Sequence, residues 1–138
     1  MASERSYDRE ALIAAAAKAR EAAYVPYSQF KVGAALLTGS GRVFTGCNVE
    51  NASSGATICA ERTAVVKAVS EGERDFVALA VVTDVPRPAS PCGICRQVLV
   101  EFNPALPVIM ANLQGEYRVE RADTLLPLAF TREAMERP

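Results

Sequence analysis

The run FVALAVVT over Phe76–Thr83 has seven apolar residues and one threonine, with no polar alternation. A strand with one wet face alternates polar and apolar residues, so an unbroken run of this length predicts a strand covered on both faces. Such a strand needs helices above and below it, and the flanking sequence supplies them. Leu12, Ala15, Ala16, Ala19, Ala22 and Ala23 recur at helical spacing and predict a helix over 8–24, ended by Val25-Pro26. Its many alanines imply a close approach to whatever it packs on. Ala60, Ala64, Val65, Ala68 and Val69 predict a second helix over 58–70 with Gly72 as its stop, and a third is expected over 93–102. Strands are expected at 30–38 and 42–47, joined by a Gly39-Ser40-Gly41 turn, and at 107–112 and 116–120 around Gln114-Gly115. Residues 124–130 and the tail are read as short helical pieces. Helices interleaved with five strands describe an α/β fold, a three-layer α/β/α sandwich on a five-stranded mixed sheet. The length of 138 residues suits one domain over 1–138.

Composition removes whole classes of function. Fifteen basic residues against sixteen acidic ones give no electrostatic reason to expect nucleic acid as a partner. The apolar runs fall short of the roughly 18 residues a membrane span needs. The start, MASERSYDREAL, lacks a basic region followed by an apolar stretch, so a cytoplasmic, reducing location is expected. The chain has no histidine, which excludes a Ser-His-Asp triad, a Cys-His pair and any His-ligated metal. A metal site here must be built from thiolates and carboxylates.

The four cysteines are therefore read as ligands, catalysts or core filler. Cys59-Ala60-Glu61-Arg62 opens the second helix, and Pro91-Cys92-Gly93-Ile94-Cys95-Arg96-Gln97 opens the third. Three-residue spacing lets Cys92 and Cys95 grip one metal from a single turn, and a helix N-terminus favours the thiolate. Alone, such a pair could equally be a redox couple or two core residues; a third cysteine opening another helix favours metal. Cys47 is either a small buried hydrophobe or a fourth ligand, which would make a closed structural zinc module. With three cysteines one tetrahedral position stays open, as in catalytic zinc sites. Glu61, two residues past Cys59, can then do general acid–base work. Its alternative is simply an acid in the first helical turn.

Cys-Ala-Glu followed by Pro-Cys-x-x-Cys is the all-cysteine form of a known zinc deaminase pattern. The chain resembles the cytidine deaminase family in its small homotetrameric form acting on free nucleosides. Beyond the cysteines it carries YSQFKVGAA over 27–35, GCNVENAS over 46–53 and LLPLAF over 125–130. The resemblance implies one zinc ion on Cys59, Cys92 and Cys95 and hydrolysis of the 4-amino group of cytidine or deoxycytidine, with Glu61 moving the protons. It implies that Asn48 and Glu50 hold the ribose, that Phe30 and Ala60 contact the substrate, and that Phe130 closes a pocket, in a neighbouring subunit. Three thiolates on Zn²⁺ total −1, and the family assigns the arginine matching Arg62 to offset that charge; Arg96 is a second candidate by proximity. Many relatives have an aromatic residue at the position of Ser54, near a subunit contact. A different aminopyrimidine nucleoside, such as a nucleoside antibiotic, is the alternative substrate.

Overall fold

Asp8 starts the first helix by accepting the Ala11 N–H at 3.0 Å, an N-cap that leads α1 over Arg9–Arg20. The computed structural model describes residues 5–136. Residues 1–4, part of the stretch read for a leader, and 137–138 of the tail lie outside it. After α1 come β1 (Gly33–Thr38), β2 (Val43–Cys47), α2 (Ala60–Ser70), β3 (Phe76–Thr83), α3 (Gly93–Phe102), β4 (Pro107–Asn112), β5 (Tyr117–Arg121) and the short α4 (Ala122–Leu125). The strands form one sheet in the order β2-β1-β3-β4-β5, with β3 and β4 parallel and the other neighbours antiparallel.

Both faces of the sheet are covered. Alternate residues of the central strands point to opposite sides. Ala35, Ala78, Ala80, Val82, Ile109 and Ala111 meet Leu12 and Ala16 of α1. Leu36, Leu79, Val81, Val108 and Met110 meet Ala64, Val65 and Ala68 of α2 and Leu99 of α3 on the other side. All eight residues of β3 are buried, as its unbroken apolar run predicts. The alanines permit very close approach. A Cβ on Gly33 would lie 1.9 Å from the Ala16 carbonyl oxygen, and one on Gly46 would lie 2.5 Å from that of Ala60. Gly46 therefore lets β2 seat the first turn of α2, the turn that carries the motif residues.

Several boundaries differ from expectation, and the first three do so because backbone groups are claimed by partners outside the element. Helix α1 stops at Arg20 rather than 24 because Tyr24 donates its N–H to the Asn48 carbonyl and accepts from the Glu50 N–H. Strand β1 starts at Gly33 rather than 30. The Phe30 carbonyl and Val32 N–H are bonded to the Asn48 side chain instead of a neighbouring strand. Ile58 pairs with Val49, so α2 begins at Ala60. Of 124–130 only the end of α4 is helical, for Pro127 follows and Leu128 is left-handed at φ 56°. A short 3₁₀ turn, Arg132–Met135, lies in the tail.

Candidate active site

Cys59 and Cys92 are the N-cap residues of α2 and α3, and neither sulfur caps its own helix. Both are thus available to a ligand. The sheet brings the two helix starts together: Cys59 Sγ lies 3.7 Å from Cys92 Sγ, which lies 3.5 Å from Cys95 Sγ. A tetrahedral zinc with bonds of about 2.3 Å holds its sulfurs about 3.8 Å apart, so the three donors fit that ion. Cys95 is buried and Cys92 exposed, leaving one open side. Among the described residues the group is Cys59, Cys92 and Cys95; Cys47 stands outside it, which removes the four-cysteine module.

The electrostatics concentrate negative charge here. The Cys59 thiol is pulled down to about 5, first by a hydrogen bond from Cys95 and then by Arg62 and Cys92. Cys95, the other member of that bond, is pushed far up, with burial and the Glu61 charge adding to the effect. Arg62 Nη2 donates to Cys59 Sγ at 3.4 Å, the contact expected of a charge-offsetting group. Its Nε is buried without a partner. Thr63, one residue on, donates from Oγ1 to the Cys47 carbonyl at 3.1 Å and the Cys59 carbonyl at 3.2 Å, tying α2 to the end of β2. Glu61 is only 4% exposed, and burial, aided by the Cys59 charge, raises its carboxyl to about 7. A carboxyl titrating there can both take and give a proton near neutrality.

Asn48 and Glu50 lie beside this cluster, already employed. The Asn48 amide accepts from Val32 N–H at 2.9 Å and donates to the Phe30 carbonyl at 2.8 Å. Glu50 Oε1 accepts from Tyr27 N–H at 3.0 Å and Ser28 N–H at 3.1 Å, and Oε2 accepts from the Ser28 hydroxyl. The Ser28 bonds hold the Glu50 carboxyl below its ordinary range. Both side chains shape the loop that presents Phe30, which is 41% exposed. The Asn48 amide retains one N–H and one oxygen lone pair, and the Glu50 carboxylate retains one acceptor position.

Residues 6–111 match the family model of the cytidine and deoxycytidylate deaminase zinc-binding region. The chain belongs to that deaminase family. It is 58% identical over 129 residues to a cytidine deaminase of Halalkalibacterium halodurans, covering 93% of this chain and 98% of that protein. A cytidine deaminase of Sporosarcina psychrophila is 56% identical over 127 residues, 91% of this chain and 93% of the relative. The crystal structure of cytidine deaminase from Burkholderia pseudomallei superposes with a TM-score of 0.88 at 55% identity, covering 90% of this chain and all of that one. The deaminase fold is thus the α/β sandwich described above, and its three-sulfur cluster is compatible with one zinc ion.

Other motif residues of this deaminase fall in different places. Ala60 is fully buried in the first turn of α2, while Phe130 is 63% exposed. Ser54 is exposed in a 3₁₀ turn, Ser54–Ala56. Arg96 is neither a thiolate partner nor a solvated surface arginine. Its guanidinium donates to the Pro91 carbonyl, the Leu125 carbonyl and Ser90 Oγ at 2.7–2.8 Å, clamping the loop before Cys92. Gly46 and Thr63 were missed as seats of α2. A glycine in a strand beside a motif was the available signal for the first.

Proposed function

We propose that the protein hydrolyses the 4-amino group of cytidine and deoxycytidine, giving uridine or deoxyuridine and ammonia. The observation that carries this reading is the buried Glu61 in the first turn of α2, next to its N-cap Cys59, which joins Cys92 and Cys95 of α3 in a cluster of zinc dimensions. Support comes also from the two cytidine deaminases that match 93% and 91% of this chain. Cys59, Cys92 and Cys95 hold the ion, and zinc when bound supplies the Lewis acidity that makes hydroxide available near neutral pH.

The chain's own residues do the rest. Glu61 accepts the proton released as water adds to C4 and delivers it to N3 of the base; it then moves the proton of the new C4 hydroxyl to the 4-amino group, so that the C4–N4 bond breaks, ammonia leaves and the C4 carbonyl forms. Arg62 withdraws charge from the Cys59 sulfur, countering the −1 of three thiolates on a dication. Phe30 and Ala60 border the base, and the spare hydrogen-bonding positions of Asn48 and Glu50 take ribose hydroxyls. Phe130 completes a pocket of a neighbouring subunit in a homotetramer, in keeping with its exposure. Residues 1–138 act as one catalytic unit, working on free nucleosides in cytoplasmic pyrimidine salvage without nucleic acid or membrane. Among the described residues no helix is long and apolar enough to cross a membrane.

The test is the absorbance change as cytidine becomes uridine, followed with zinc-replete protein, after chelation and after zinc is restored. Turnover that disappears and returns supports the reading; no turnover of either nucleoside by zinc-replete protein overturns it. Sedimentation checks the tetramer, for which a single-chain mass at assay concentration is the contrary result.

A further inference from the structure

Helix α3 serves two parts of the molecule from successive positions. Cys92 and Cys95 present their sulfurs to the metal cluster from its first turn. Arg96 and Gln97, immediately after, reach the C-terminal segment instead. Arg96 Nη1 donates to the Leu125 carbonyl at 2.7 Å, and Gln97 Nε2 donates to the Phe130 carbonyl at 2.8 Å. Among the described residues, Gln97 is the one side chain hydrogen-bonded to the backbone of 127–130. That stretch needs a tether. Leu128 is fully exposed and held at φ 56°, a left-handed conformation unfavourable for a side chain with a Cβ, and Phe130 projects outward. Ala129 alone packs on the core there.

We propose that Gln97 is a positioning residue that ties Phe130, the wall its subunit lends to a neighbour's pocket, to the cysteine-bearing helix of its own subunit, with Arg96 anchoring the start of the same segment at Leu125. The inference rests on the deaminase reading and deepens it. The bond needs a donor at the end of the residue 97 side chain, because its partner is a carbonyl oxygen. An ionised glutamate has the same shape but only acceptors, so it cannot replace glutamine. Releasing the tether leaves the cluster and Glu61 untouched and frees Phe130. It therefore weakens nucleoside binding without slowing the chemical step, the pattern of a raised KM at constant kcat.

The experiment compares wild type with Gln97→Ala, Gln97→Glu, Phe130→Ala and the Gln97→Ala/Phe130→Ala double variant, with Gln97→Lys restoring a donor of similar reach. Losing one hydrogen bond predicts a KM raised roughly fivefold in Gln97→Ala and Gln97→Glu, with kcat and zinc content unchanged and partial recovery in Gln97→Lys. The double variant is expected to be no worse than Phe130→Ala, since both changes remove the same function. Amide hydrogen exchange over 128–131, which needs no substrate, is expected to quicken in Gln97→Ala. Additive effects on KM, a fall in kcat with loss of zinc, or unchanged exchange would each overturn the tether. A wild type inactive on cytidine would remove the deaminase reading instead, leaving the exchange measurement to decide whether the tether exists.

Discussion

Val49 and Ile58 exchange two backbone hydrogen bonds, each 2.9 Å long, and this isolated pair joins the two halves of the candidate site. Ile58 immediately precedes Cys59, while Val49 sits between Asn48 and Glu50. The pair therefore sets the proposed ribose-binding residues beside the proposed metal ligands. Tyr24 completes the arrangement by bonding both Asn48 and Glu50 through its backbone.

Asn48 is expected to matter for stability as well as for binding. Its buried amide satisfies the Phe30 carbonyl and Val32 N–H, and removing it strands both groups. Asn48→Ala should cost about 2–3 kcal/mol and raise KM. Urea unfolding with a midpoint equal to wild type would contradict the structural half of this role.

Gly46 is expected to tolerate no side chain. A methyl group there would meet Ala60 O at 2.5 Å and Ala64 N at 2.6 Å, both backbone atoms of α2. Gly46→Ala should destabilise by about 1–3 kcal/mol and displace the turn carrying Cys59 and Glu61, lowering zinc content. A variant with full zinc and wild-type stability would show that α2 is not seated by this contact.

Arg62→Ala should keep zinc but turn over more slowly, because the charge it withdraws from Cys59 stays on the cluster. Metal analysis and a pH–rate profile test this together. A profile that superposes on wild type would remove the charge-compensation role.

How much of this was legible in the sequence depended on how local each determinant is. The bounds of β3, α3 and β4 follow from unbroken runs and motif starts, and the three-cysteine cluster follows from spacing at two helix N-termini. Arg62 touches Cys59 three residues away on the same turn, so that contact could be read from the chain. The use of the Asn48 amide to bond residues 30 and 32, the Gly46 approach to α2, and the Gln97 link to Phe130 could not. Each joins segments 14 to 33 residues apart, and nothing in either segment alone declares the other. Arg96 shows the same limit: proximity to Cys95 suggested a thiolate partner, whereas the fold offered it two carbonyls and a hydroxyl.

Acid should loosen two specific contacts. Glu50 is held below its ordinary pKa first by Ser28, and Glu73 by Ser40, Thr38 and Arg42. A depressed carboxyl contributes stability above its unfolded pKa, near 4.5, and loses it as pH falls through the lower folded value. Unfolding midpoints should therefore drop below about pH 4.5, and Glu73→Gln should flatten that drop. An equally steep acid limb in the variant would place the dependence elsewhere.

The central claim is that Glu61 moves protons beside a metal it does not bind. The most direct measurement is cytidine turnover by Glu61→Gln, with zinc determined on the same sample. The account predicts zinc retained at the wild-type ratio and turnover reduced by about two to four orders of magnitude. Wild-type turnover, or loss of zinc in parallel with activity, would contradict it.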